Sequence, residues 1–244
     1  MGAHNDRGGI RSLRLCAALL LALLLAAGGF AKSSGVFTFA RRDDGNLSIT
    51  GWTGSGEYIA VPAQIEGVRV AEIGDNAFSD CEAVTRIVLP EGVERLGDGA
   101  FADCYSLEEI RVPASVAAVG ENPFAGCENL RKVELADGSG CLETINGVLF
   151  GDGGARLIFC PRVLPMERYV VPEGTRRIDA RAFSYCNRLL SVTLPDSVEA
   201  IGAEAFERRA NLTLVVGRGS YGETYAVQNG IKYTYSDAGE WLAD

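Results

Sequence analysis

The chain has 244 residues, 47% of them hydrophobic and 23% charged, with a formal net charge of −9 and a single histidine, His4. Apolar content on this scale excludes a disordered polar chain, and the acidic balance excludes nucleic-acid binding through a basic surface. One histidine leaves little basis for histidine-dependent catalysis or a histidine metal site.

Residues 1–31 read as an export signal. Arg7, Arg11 and Arg14 form a basic region, Leu15 to Ala27 is an unbroken apolar run, and Gly29-Phe30-Ala31 supplies small residues for cleavage after Ala31. The run is shorter than the roughly 20 residues that comfortably span a bilayer. Cys16 lies at its start, where a lipidated cysteine would follow it, so no membrane association beyond export is expected. Cleavage removes three arginines, Asp6 and His4, and moves the formal net charge from −9 to −11.

Residues 32–72 are expected to form an N-terminal cap and first coil. Phe37 and Phe39 alternate, Asp44-Gly45 signals a hairpin, and Leu47-Ser48-Ile49 answers as the returning strand. Tyr58 to Pro62 already has the look of a later strand, and Gln64-Ile65-Glu66-Gly67 reads as a longer turn into Ile73.

Residues 73–140 carry one pattern written over and over. Ile73, Leu96 and Val119 stand 23 residues apart, as do Phe78, Phe101 and Phe124, and Cys81, Cys104 and Cys127. A short fixed period means a solenoid, in which each unit needs its neighbours to bury an apolar face. Arg86 to Leu89 and Glu109 to Val112 alternate as strands, and Pro90 and Pro113 end them by removing a ladder donor. The Ala-Phe-x-x-Cys segment has helical spacing but is too short for a stable helix, which predicts a 3₁₀ or α turn on the opposite side. Stacked at one strand spacing, the phenylalanines should form an internal column.

Val119 and Ile178 are 59 residues apart, one period plus 36. Residues 141–165 are therefore read as an inserted β-hairpin, Val148 to Phe150 and Arg156 to Phe159 joined by Gly151-Asp152-Gly153-Gly154, projecting from one side of the coil. The array resumes over residues 166–217, with Ile178 and Ile201, and Phe183 and Phe206, again 23 apart. Its last copy is atypical, with Arg209 in the slot of Cys186. Residues 218–244 form a C-terminal cap and tail, with a helix over Tyr221 to Gln228, a strand over Ile231 to Tyr235, and Trp241 in the tail.

The IG-x-x-AF-x-x-C-x-x-L-x-x-I-x-LP pattern, as in IGDNAFSDCEAVTRIVLP, resembles the BspA-like leucine-rich repeat family. Pro123 in place of Ala and Asp179 in place of Gly depart from it. The fold expected is a β-rich repeat solenoid of about 23-residue period, with a parallel strand ladder on one face, short turns opposite, an inserted hairpin and terminal caps. The resemblance implies secreted or cell-surface bacterial proteins, some associated with adhesion.

Six cysteines remain after cleavage. Parallel Cβ vectors on stacked coils make poor bridge geometry, so Cys81, Cys104, Cys127 and Cys186 are expected as buried thiols. Cys141 and Cys160 flank the insertion and are candidates for a bridge. The recurring cysteines are a full period apart, unlike the close pairs of zinc sites, so no metal and no cofactor are expected. Without a mature histidine no catalytic residue is assigned.

The residues left for function point outward from the strands: Arg86 and Val88, Glu109 and Arg111, Lys132 and Glu134, Ser191 and Thr193. Tyr105, Tyr169 and Tyr185 are further contact candidates. Together these predict a monomeric binding or adhesion scaffold for an extracellular protein or glycan. The alternative is a carbohydrate-active enzyme or carbohydrate-binding module using carboxylates near the insertion, Glu143 and Asp152.

Overall fold

The computed structural model describes residues 32–162, 164–207 and 211–238. The export signal and its cleavage site, Arg209 and Trp241 lie outside them. The chain winds as a β-solenoid whose coils add strands to parallel ladders. Tyr58–Ala60, Arg86–Val88, Glu109–Val112 and Lys132–Leu135 pair in parallel as one outer ladder. Arg168–Val170, Ser191–Thr193, Thr213–Val216 and Lys232–Tyr235 form a second. Register equals the sequence period, so Arg86 lies beside Glu109 and Glu109 beside Lys132. The middle residues Ile59, Ile87 and Ile110 are buried at 2% exposure or less. A second set of short strands, Val68–Ile73, Arg95–Leu96 and Ala118–Val119, runs parallel at the next corner of each coil.

The remaining side of each coil is a string of turns. Bonds from residue i+3 back to residue i recur, such as Ala102 N–H to Gly99 O at 2.8 Å and Leu107 N–H to Cys104 O at 3.1 Å. The backbone never settles into a helix, because left-handed positions recur in the coils. The first recurs as Asn76, Gly99, Asn122, Arg181 and Glu204, with φ from 47° to 57°, and the second as Asp80, Asp103 and Gly126. Only glycine, and to a lesser degree Asn and Asp, adopts that region at small cost. The backbone groups freed by these turns pair with the next coil: Phe78 N–H donates to Ala100 O at 2.8 Å and Phe101 N–H to Pro123 O at 2.9 Å. Pro123 keeps this carbonyl contact and forgoes only the longer bonds that the equivalent Ala77 and Ala100 N–H groups make to Gly74 O at 3.2 Å and Gly97 O at 3.4 Å.

The glycine that follows the first apolar residue of each copy has a steric cause. A Cβ added at Gly97 would overlap the Asp75 carboxylate and backbone, and one at Gly120 would overlap Asp98. Those aspartates are structural acceptors: Asp75 Oδ1 takes the Asp98 N–H and Asp98 Oδ1 the Glu121 N–H, each at 2.8 Å. Their role is to cap the backbone of the adjoining coil.

The phenylalanines stack as equivalent residues. Phe78 and Phe101 lie 5.7 Å apart, Phe101 and Phe124 5.5 Å, and Phe183 and Phe206 5.0 Å. They do not form one spine. The buried residues fall into two clusters, one around Phe78, Phe101 and Phe124 and one around Phe183 and Phe206. The inserted segment stands between them. Leu142–Ile145, Val148–Gly151 and Arg156–Phe159 pair antiparallel, and Arg156–Phe159 then continues in parallel to Arg177–Ile178. Every residue of Val148–Gly151 and Arg156–Phe159 is buried. Leu149, Ile158 and Phe159 pack into the first cluster, and Val148, Phe150 and Leu157 into the second. The expectation of a projecting hairpin is therefore corrected. Strands that are apolar on both faces read as continuous hydrophobic runs and require cover on both sides.

The cysteine expectations need a second correction. Cys160 bonds to Cys186, with Cα atoms 6.5 Å apart, while Cys141 is a free, half-buried thiol. The cause is a slot exchange. In regular coils the repeat cysteine sits over the carbonyl of the phenylalanine one coil earlier, as Cys104 Sγ does over Phe78 O at 3.0 Å and Cys127 Sγ over Phe101 O at 3.1 Å. Cys160 occupies that phenylalanine slot, its N–H donating to Ala182 O at 2.9 Å. A second sulfur thus faces Cys186. Cys81, Cys104 and Cys127 are free thiols as expected, Cys104 and Cys127 buried but Cys81 only half-buried. The neighbouring Cys127 thiol, aided by burial, pushes Cys104 up to about 12, so it stays protonated and unreactive.

Where the period breaks, a buried ion pair joins the halves. Arg156 donates to both Asp179 oxygens, with Nε–Oδ1 at 2.9 Å and Nη2–Oδ2 at 2.6 Å, and also to Val119 O at 2.9 Å and Gly120 O at 2.7 Å. The Asp179 side chain is wholly buried. Asp179 replaces the repeat glycine because the adjoining strand supplies an arginine there. Asn122 Oδ1 accepts the Ala180 N–H at 2.9 Å and Glu121 pairs with Arg177, closing the same seam.

Both ends are capped. Phe37–Arg41 pairs antiparallel with Leu47–Trp52, and Phe37 meets Phe78 edge-on at 6.5 Å. The stretch read as a longer turn is a tight hairpin, Gln64–Ile65 against Val68–Ile73, with Glu66 and Gly67 both at positive φ. At the other end the helix Tyr221–Gln228 starts on Ser220, whose side chain accepts the Glu223 N–H. Tyr225 in this helix contacts Phe206 at 6.0 Å.

Two outcomes follow for stability. Phe101→Ala removes a ring held from above and below and should cost about 3–5 kcal/mol in denaturant unfolding. Phe206→Ala should cost a comparable amount, because Phe183 and Tyr225 cover that ring on its two sides. Asp179→Gly restores the repeat residue yet leaves Arg156 buried and unpaired, and should cost about 3–5 kcal/mol. Adding Arg156→Met should recover most of it. A neutral Asp179→Gly would show that the pair does not hold the seam.

Candidate functional site

Among the described residues, the open faces of the two outer ladders are the candidate site. On the first, the outward columns are Tyr58, Arg86, Glu109, Lys132 and Ala60, Val88, Arg111, Glu134. Six of the sequence-chosen residues therefore share one sheet. Their charges alternate and pair across strands: Arg86 with Glu109 at 3.7 Å, Lys132 with Glu109 at 3.2 Å and with Glu134 at 2.9 Å, and Arg111 with Glu134 at 3.9 Å. The hydrogen bond from Lys132 holds the Glu134 carboxyl below the usual range, and Glu134 and Glu109 raise Lys132 in return. Exposed pairs of this kind contribute little to stability. They hold long side chains flat over the sheet.

Ser191 and Thr193 lie on the other ladder. Its outward columns are Arg168, Ser191, Thr213, Lys232 and Val170, Thr193, Val215, Thr234. Only two of these eight were chosen from sequence. The others belong to coils whose strands lack the full repeat motif, although the Tyr169 to Pro172 strand pattern was a signal for Arg168 and Val170. Val170 is 65% exposed, whereas Tyr169, a contact candidate, is 2% exposed and packs against Phe183 at 6.0 Å. Strand alternation turns its ring inward. Tyr105 is 40% exposed and Tyr185 partly so.

Of the two carboxylates suggested near the insertion, Asp152 lines the depression beside it and Glu143 does not. This depression, of about 410 Å³, is lined by Ser115, Ala117, Gly138, Cys141, Asp152 and Gly153. A smaller one of about 190 Å³ lies where the first outer ladder meets the inserted segment, walled by Lys132, Thr144, Gly147 and Pro161. Among the described residues no group of three or more His, Cys, Asp or Glu is arranged to hold a metal ion. No helix among them is long and apolar enough to cross a membrane.

The pairing on the first ladder has a pH signature. Because the folded-state value of Glu134 is lowered, the pair's contribution is present above the ordinary glutamate range and is lost as pH falls through the lowered value. In an NMR titration Lys132→Met should return Glu134 upward to the ordinary glutamate range. An unmoved titration would remove the cross-strand contact from the account.

Comparison with known proteins agrees with this geometry. The family model for the BspA type leucine rich repeat region matches in 6 copies, over residues 59–154 and 159–221. No curated protein sequence matches the chain. Among solved structures, a leucine rich repeat protein of T. pallidum is 27% identical, covering 76% of this chain and 71% of its own, with a TM-score of 0.44. One from Eubacterium ventriosum is 18% identical, covering 78% and 68%, with a TM-score of 0.45. A leucine rich cell surface protein of Faecalibacterium prausnitzii is 21% identical, covering 79% and 77%, with a TM-score of 0.39. With the repeat motif, the register and the family match in agreement, the chain belongs to the BspA-type leucine-rich repeat family.

Proposed function

We propose that this protein is a secreted or cell-surface scaffold that binds an extracellular protein or glycan, in the manner of an adhesion module, and that it performs no chemistry of its own. The observation that carries this reading is the pair of open four-stranded faces, whose side chains stand in rows at one strand spacing. Solenoids present extended surfaces of this kind to partners. A repeat scaffold's function resides in such surface residues, since the buried positions are committed to stacking. The leader-like residues 1–31 supply the route to the exterior. Of the two carboxylates that the enzyme alternative needs, only Asp152 lines the depression beside the insertion.

The purified protein, immobilised and exposed to extracellular protein extracts and a glycan array, should retain partners above an acidic control protein of similar charge. Retention at control level throughout would defeat the reading. Cell fractionation and N-terminal sequencing should place the protein outside the cytoplasm, starting at Lys32.

A further inference from the structure

The two faces differ in a way that distinguishes their partners. On the first ladder each charge has an opposite charge beside it, so a ligand would have to displace internal pairs. The second ladder bears no acidic residue at an outward position. Ser191 and Thr213 lie in one column between Arg168 and Lys232, with Thr193 and Thr234 in the next. Arg168 and Lys232 are exposed, and among the described residues neither has an ion-pair partner. Three strand spacings separate them, about 14 Å.

Charge is also segregated across the molecule. Outward positions of the two faces hold five cations, Arg86, Arg111, Lys132, Arg168 and Lys232, and two anions, Glu109 and Glu134, on a chain whose formal net charge is −9. An anion approaching elsewhere is repelled, so the field orients it toward the strand faces. Only the second offers cations that are unspent.

We propose that this second face binds an anionic, uronate-bearing polysaccharide, with Arg168 and Lys232 receiving carboxylates at either end and the serine and threonine hydroxyls bonding to sugar hydroxyls between them. The proposal rests on the binding-scaffold reading and names the ligand class of one of its faces. A polysaccharide is favoured over an acidic protein because the residues between the two cations, Ser191, Thr213, Thr193 and Thr234, are short hydroxyl side chains, not the aromatic or arginine anchors that dominate protein interfaces. An extended polar chain needs only a flat row of donors and acceptors.

The test uses polygalacturonate as the probe, dextran as a neutral chain and polyglutamate as an acidic peptide. The purified protein should be retained on immobilised polygalacturonate, should release as sodium chloride rises, and should ignore dextran. Joint Arg168→Ser and Lys232→Ser should weaken binding about tenfold or more, whereas joint Arg69→Ser and Arg176→Ser, exposed arginines that lie on neither face, should leave it within about twofold. All four residues are exposed, so both variants should keep the parent's thermal midpoint. No retention on polygalacturonate, or retention indifferent to Arg168 and Lys232, overturns the proposal. Equal binding of polyglutamate with the same residue dependence overturns it in favour of an acidic peptide. If polygalacturonate fails while extracellular extracts still yield a partner, the ligand assignment falls and the scaffold reading stands.

Discussion

A coil of 23 residues cannot cover both faces of its own phenylalanine. Only the coils before and after it do so, by placing their own rings 5.0–5.7 Å away. From that requirement the rest of the architecture follows. Rings that stack must recur at identical positions, which fixes the strand register. Turns that connect them must also stack, which brings backbones so close that a side chain on Gly97 or Gly120 would strike the aspartate of the neighbouring coil. The left-handed positions that keep each turn from becoming a helix leave backbone donors free, and Ala100 O, Pro123 O and their equivalents accept them.

An array built this way has two weak points, its ends and any break in its period. The ends are closed by rings from outside the repeats, Phe37 against Phe78 and Tyr225 against Phe206. The break is closed differently. An antiparallel pair of wholly buried strands serves as a wall shared by two cores, and the missing vertical contacts are replaced by the Arg156–Asp179 pair and the Asn122–Ala180 bond. Buried charges are costly unless fully bonded, and Arg156 meets that condition by reaching Val119 O and Gly120 O across the seam. The Cys160–Cys186 bond ties the wall to the next coil.

Function, by contrast, is left to positions that stacking does not use. One face carries alternating charges that neutralise each other, a common way to keep an exposed sheet from associating. The other carries hydroxyls bracketed by Arg168 and Lys232, neither of which has an ion-pair partner among the described residues. The insertion falls between them in the chain, and its Thr144 and Gly147 line a depression beside Lys132 of the first ladder.

The repeat itself was fully legible in the sequence. The spacing of Phe78, Phe101 and Phe124, the prolines after the strands and the final helix over Tyr221–Gln228 are local signals, repeated often enough to be unambiguous. Eight of the outward residues were also legible, because period-2 alternation decides which way a side chain points. What the sequence could not decide were contacts between coils that are out of phase. Whether Val148–Gly151 projects or is buried depends on which core lies on each side. Whether Cys160 meets Cys141 or Cys186 depends on Cys160 taking a phenylalanine slot. Why Asp179 replaces glycine depends on Arg156 arriving beside it. Each is settled by a neighbour distant in the chain or outside the regular repeat, and periodicity has no information about a partner that does not share the period.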